Sequence, residues 1–174
     1  MPWIVEDGTT VAGANTYISA AGVTAYALAR GTTLTPATLD ANIQKSMDYL
    51  ESLLYIGVQT DDDGVTWPVP QTLQWPRNYA YVTNTTTMVG KNSIPQALIN
   101  AENELVMAFN AGYDPLAVIE FTDNIVSETL GPMSTTYSSN AGLSPILQRV
   151  NRWLAPLIED DVSGIHFRVA RTYG

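Results

Sequence analysis

The 174-residue chain has no cysteine and a single histidine, His166. Without cysteine there is no disulfide framework, no thiolate zinc site and no cysteine nucleophile. One imidazole argues against a histidine-rich metal site and against a Ser–His–Asp triad, because imidazole is the usual base near neutral pH. Positive charge is scarce: eight Lys and Arg face 17 Asp and Glu, for a formal net charge of −9. That balance excludes a basic protein that coats nucleic acid, since sequence-independent binding comes mainly from Lys and Arg neutralising phosphates. No apolar run approaches the roughly 20 residues of a membrane-spanning helix. The start, MPWIVEDG, lacks the basic end and apolar core of a secretory signal. No membrane partner is expected.

The length fits one domain, and the 45% hydrophobic content can supply a real core. The charge is uneven. Residues 1–148 hold 14 acids and four bases, whereas 149–174 hold Arg149, Arg152, Arg168 and Arg171 against Glu159, Asp160 and Asp161, so the body carries −10 and the end +1.

Apolar spacing predicts four helices. Over 36–55, Leu39, Ile43, Met47, Leu50 and Leu54 recur at helical intervals, with Thr35 as N-cap, Pro36 at the first position and Gly57 beyond the end. Over 95–111, Leu98, Ala101, Leu105 and Phe109 form the stripe, Ser93 is the expected cap and Gly112 the stop. Over 145–157, Ile146, Val150, Trp153, Leu154 and Leu157 form the apolar face, capped by Ser144 and limited by Pro156. A shorter helix spans 19–30 and stops at Gly31, despite the cost of about 1 kcal/mol for the interior Gly22.

Between the first two of these lies a long connection, 57–93, rich in Thr, Asn, Asp, Gly and Pro. Asp61-Asp62-Asp63-Gly64 reads as a turn, and Val65–Trp67 and Tyr79–Val82 as short strands. Residues 117–138 read as a hairpin about Gly131-Pro132. The tail alternates apolar and polar residues through Ile165, His166, Phe167 and Arg168, as an extended arm would. The expected fold is mainly α: a small bundle of about four helices with a β-hairpin, a long ordered loop and an extended C-terminal arm. The core would occupy 1–161 and the docking arm 162–174.

Chemistry-bearing motifs are few. The consecutive acids at 61–63, with Pro70 where an EF-hand needs Glu, do not make a calcium loop. Glu102 and Glu104, and Asp48 with Glu51, are expected on solvated helix faces. Gly8 and Gly13 lack the Lys-Ser/Thr of a phosphate loop. No catalytic residue, metal ligand or cofactor is expected, so the chain is not read as an enzyme. Trp67, Trp75, Tyr79 and Tyr81 lie in one loop with only Arg77 and Lys91 nearby. Aromatics interleaved with cations can stack single-stranded bases, but here cations are short. The favoured reading has Trp67, Trp75, Arg77, Tyr79 and Tyr81 tucking the loop onto the helices or onto a neighbouring subunit.

Several segments together resemble one tailed-phage protein family. They are Glu6-Asp7-Gly8-Thr9 through Ala14-Asn15-Thr16-Tyr17, then Tyr26 with Arg30-Gly31, then Gln71-Thr72-Leu73-Gln74-Trp75-Pro76-Arg77. Ile94-Pro95-Gln96-Ala97 with Ala101 and Glu104-Leu105, Ser127-Glu128 with Gly131 and Tyr137, and Leu154-Ala155-Pro156-Leu157 follow in order. The insert Asp61–Pro70 and Thr10 depart from the pattern. The family is often labelled DnaT-like single-stranded DNA-binding protein, and its members resemble head–tail connector (adaptor or head-completion) proteins. The resemblance implies a structural protein of the virion neck, made in the host cytoplasm. Twelve copies would form a ring that joins the portal protein to a stopper or tail protein, helping the genome be packaged and ejected. An acidic body suits a channel past which double-stranded DNA slides without specific binding. The arm residues Ile165, His166, Phe167, Arg168, Val169, Arg171 and Tyr173 would hold the portal. Two alternatives stand beside this: a single-stranded DNA-binding module, and a tail terminator or tail-completion protein.

Overall fold

A computed structural model describes residues 2–59, 71–82, 85–115, 125–129, 134–137 and 145–159. The fold is mainly helical, with α1 (Ala20–Leu28), α2 (Pro36–Glu51), α3 (Gln96–Asn110) and α4 (Pro145–Leu154). Two short antiparallel ladders accompany them. β1 (Val58–Gln59) pairs with β2 (Arg77–Asn78), placing Val58 opposite Asn78. β3 (Ile125–Thr129) pairs with β4 (Ser134–Tyr137) in the expected hairpin, with an irregularity between Ile125 and Ser127. The turn Gly131-Pro132, the acidic run 61–63, Val65–Trp67 and the tail 162–174 lie outside the described residues.

Local chemistry sets the helix ends. The Ser19 hydroxyl accepts from the Gly22 N–H at 3.0 Å and caps α1. At the end of α1, the Gly31 and Thr32 N–H groups return to the Leu28 and Ala27 carbonyls, with Gly31 at φ +71°. At the end of α3, Gly112 and Tyr113 return in the same way to Phe109 and Ala108, with Gly112 at φ +84°. Both are Schellman closures, in which glycine takes the left-handed position that a Cβ disfavours.

Several expectations need correction. Ser93 does not cap α3; its hydroxyl donates to the Gly90 carbonyl, and Pro95 holds the cap position. Thr35 makes no side-chain cap to α2, although its own N–H donates to Asn110 Oδ1 at 2.8 Å. Helix α2 ends at Glu51 rather than at residue 55, and Leu54 is 71% exposed. Tertiary pairing stops it: Ile56 N–H donates to the Leu157 carbonyl and Glu159 N–H to the Leu54 carbonyl. Meanwhile Tyr55 turns inward and donates to the Leu50 carbonyl. Helix α4 stops at Leu154, before Pro156, while Leu157 remains buried beyond it. The strand expected over 79–82 is displaced to Arg77–Asn78, and Tyr81 makes only an isolated bridge to Met88.

Helix α3 is the axis of the molecule. It packs against α4, α2 and α1, and every residue from Ala101 to Phe109 is buried. More than two turns buried without a break means that all faces of the helix are covered. On one side Leu98, Ala101 and Leu105 meet Met47 and Leu50 of α2, Val150 and Leu154 of α4, and Trp75. On another side Val106 and Met107 join Val23, Ala27, Leu34 and Ile43.

This enclosure overturns the solvated reading of Glu102 and Glu104, which are 0% and 3% exposed. Two glutamates two residues apart face different sides, and here both sides are covered. Glu102 meets the N-terminal segment, where Thr16 Oγ1 lies 2.7 Å from Oε1 and the Tyr17 N–H donates to Oε2 at 3.1 Å. Burial pushes Glu102 up to about 8, against the weaker lowering by those two hydrogen bonds. The local geometry fits a protonated carboxyl. Thr16 has one hydroxyl proton, its oxygen lies 3.0 Å from the Ile18 carbonyl, and it accepts from the Ile18 N–H. With Glu102 protonated, its O–H donates to Thr16, Thr16 donates to Ile18, and each group is satisfied.

The segment 71–82 is fastened by polar groups. Glu51, expected in solvent, is half-buried; it accepts from the Tyr17 hydroxyl at 2.7 Å and from the Gln74 N–H at 2.8 Å. The Tyr17 oxygen in turn accepts from the Trp75 N–H. Trp75 is fully buried, meets Tyr55 edge-on at 5.8 Å, and is joined to Pro76 by a cis peptide bond. Arg77 spends all its donors inside the protein. Nε donates to the Ile56 carbonyl, Nη1 to the Gln74 carbonyl and side-chain oxygen, and Nη2 to the Tyr55 and Gly57 carbonyls. Gly57 sits at φ +79° with its backbone against Asn78 and Ala80, where a Cβ would come within 2.5 Å of the Asn78 oxygen.

Two outcomes follow from these buried groups. Glu102 is raised above its ordinary 4.5 in the folded state, so folding retains a proton that the unfolded chain releases. Its contribution is neutral below pH 4.5, falls as pH rises toward 8, and above 8 has cost several kcal/mol, at about 1.4 kcal/mol per pH unit. In urea unfolding from pH 4 to 9 (roughly the span of that titration), Glu102→Gln should lack this decline and exceed the wild type at alkaline pH. Parallel profiles for the two proteins would refute the protonated carboxyl. Arg77→Ala should cost about 3–5 kcal/mol, because it strands buried carbonyls, whereas Tyr79→Ala and Tyr81→Ala should stay within about 0.5 kcal/mol. Chemical denaturation of the three variants checks the contrast.

Candidate functional site

The loop residues proposed from sequence divide when placed in space. Trp75 and Arg77 are buried and structural, as a loop tucked onto the helices requires. Tyr79 and Tyr81 are 67% and 53% exposed. Trp67 and the arm residues Ile165, His166, Phe167, Arg168, Val169, Arg171 and Tyr173 lie outside the described residues. With its guanidinium fully engaged by carbonyls, Arg77 cannot also serve a phosphate.

The cations gather elsewhere. Arg30 follows α1, Glu104 lies on α3, and Arg149, Arg152 and Trp153 lie on α4; together they line a cleft of about 620 Å³. A second concavity, of about 260 Å³, shares Arg30, Glu104 and Arg149 and continues to Thr32, Met107 and Ala111. Three arginines and one carboxylate leave the groove with a local charge of +2, on a chain whose net charge is −9.

Glu104 organises this site. Its side chain is 4% exposed, and the Nε of Arg30 and an Nη of Arg149 stand 3.6 Å from its two oxygens. The Tyr26 hydroxyl donates to Oε1 at 3.1 Å. Burial and the neighbouring carboxylate push the Tyr26 phenol up to about 12, so it remains a donor at neutral pH. The Arg30 guanidinium carbon lies over the Tyr26 ring, 3.3 Å from its centroid, and Nη1 donates to the Tyr26 carbonyl. Stacking and ion pairing thus fix Arg30 from two directions. Among the described residues Arg149 has one ion pair, to Glu104, and its side chain is 59% exposed.

Trp153 was expected on the buried face of α4 but is 39% exposed. Val150, Leu154 and Leu157 suffice for the core contact, and the indole turns toward the arginines. Arg149, Arg152 and Trp153 are spaced i, i+3 and i+4, so they share one helical face. That spacing is a legible signal that the count of total charge obscures. Arg30 has no such signal, since only folding carries the end of α1 to α4.

Guanidinium groups can neutralise backbone phosphates, and a half-exposed indole offers a face on which an unpaired base can stack. Among the described residues, no group of three or more His, Cys, Asp or Glu is placed to hold a metal ion. No helix among them is long and apolar enough to cross a membrane.

No curated protein and no solved structure matches the chain. A family model matches residues 1–172, and its description concerns the binding of single-stranded DNA. Nothing in that match names a head–tail connector, so the expectation of a phage neck or adaptor protein is corrected by it. Net charge is a sum over the whole surface and does not show where cations gather. Exposed charges more than about 10 Å apart are largely screened from one another, so the local charge of the groove is distinct from the net charge of the chain. The chain belongs to the family described as "Putative DnaT-like ssDNA binding protein".

Proposed function

We propose that the protein binds single-stranded DNA in the groove between the end of α1 and α4. The observation that carries this reading is the convergence of Arg30, Arg149 and Arg152 with the exposed Trp153 on one concave surface. Each part has a separate task. Arg149 and Arg152 meet phosphates along the outer face of α4. Arg30, held by Tyr26 and Glu104, presents a fixed cation across the groove from them. Trp153 stacks a base, which a duplex keeps inside its own stack. The acidic remainder of the surface repels the backbone, so contact is confined to a short stretch of strand.

Binding of a fluorescently labelled oligonucleotide, followed by anisotropy against salt concentration, tests this. Three phosphate contacts give a log–log salt slope of about −2, at roughly −0.7 per contact on a single strand. Arg149→Ala and Arg152→Ala should each weaken binding and flatten the slope by about 0.7. Trp153→Ala should weaken binding roughly 5- to 150-fold while leaving the slope unchanged. Absence of binding at about 50 mM salt, or binding indifferent to all three substitutions, rules the reading out.

A further inference from the structure

The groove contains a feature that phosphate binding does not use. Glu104 Oε2 is buried and has no hydrogen-bond partner among the described residues, although the side chain lines both concavities. The nearest cation, Arg149, stands at 3.6 Å, an ion-pair distance too long for a hydrogen bond. The other oxygen is occupied by Tyr26 and Arg30. A buried carboxylate oxygen without a donor is costly, and it repels a phosphate from the floor of the groove. What it accepts is an N–H.

We infer that the groove reads an unpaired guanine, with Glu104 accepting from the base and Trp153 stacking on it. The inference rests on the reading that the groove takes single-stranded DNA. The pairing edge of guanine carries two adjacent donors, N1–H and the N2 amino group, with no acceptor between them. Adenine and cytosine place an acceptor beside their amino group, and thymine flanks its one N–H with two carbonyls. A carboxylate therefore favours guanine and is repelled by part of each other edge. Arg149, mostly exposed and with one ion pair among the described residues, can leave Oε2 for the phosphate of the same nucleotide. The cleft of about 620 Å³ falls within the range usual for small-molecule sites, about 300–1,000 Å³. Both donors are consumed in a G·C pair, so the same contact selects single strands over duplex.

The test compares oligothymidine probes that carry one central dG, deoxyinosine, O6-methyl-dG, dA or dC, using the full chain and anisotropy at fixed salt. The dG probe should bind about 10-fold or more tightly than the parent. Deoxyinosine, which lacks the N2 amino group, should fall between, and O6-methyl-dG, which lacks N1–H, should lose most of the gain. Annealing the complementary strand should abolish the dG preference. Glu104→Gln should erase the preference, and the base analogues test the same contact without any substitution that disturbs Arg30 or Arg149. Salt-dependent, Trp153-dependent binding with no base preference overturns this inference and leaves the proposed function standing. Failure of every probe to bind overturns both.

Discussion

The enclosure of α3 is the constraint on which the rest of the protein depends. A helix covered on all sides has no solvated face for its polar residues, so each of its glutamates needs a partner from another element. Glu102 takes Thr16 and the backbone of Tyr17, which ties the N-terminal segment to the bundle axis. Glu104 takes Tyr26 and two arginines, which brings the end of α1 and the exposed face of α4 to a common point. One helix thus carries an apolar core on two sides and two polar sites between them. The first carboxyl has no ion-pair partner among the described residues, and its burial favours the protonated form. The second, flanked by guanidinium groups, serves as their counter-ion.

The same logic explains how the described residues 71–82, with few regular elements, are held in place. Glu51, Tyr17 and Arg77 act as fasteners, each engaging backbone or side-chain groups from distant positions. Hydrogen bonds to charged groups in a partly buried setting are worth more than neutral ones at the surface. The loop therefore holds Trp75 against Tyr55 without a continuous sheet. Its price is that Arg77 and Trp75, the residues that most suggested an interface, are unavailable to a partner.

The residues that line the groove look ordinary along the chain. Arg149, Arg152 and Trp153 form a helical triplet that reads as a basic edge beside an apolar stripe. Arg30 reads as the last residue before a glycine stop. Folding places a stacked, ion-paired arginine opposite an exposed pair and sets an indole among them. A net charge of −9 hides this arrangement, because it sums over the whole surface and does not say where the cations gather.

Much of the architecture was legible in the sequence, because helices are local. Ser19, Gly31 and Gly112 mark ends through capping and left-handed turns, and the stripes Ile43, Met47, Leu50 and Leu98, Ala101, Leu105 show which faces are buried. The hairpin followed from turn residues between extended runs. Tertiary structure alone decided that α2 stops at Glu51, because residues 54–56 pair with the segment that follows α4, about a hundred positions away. It also decided that Glu102 and Glu104 lie in the interior, since periodicity identifies an apolar stripe but not whether the opposite face is covered too. And it alone brought Arg30 to Arg149. Local propensity depends on neighbours along the chain, whereas a shared counter-ion depends on which elements pack together, and no spacing within a helix encodes that.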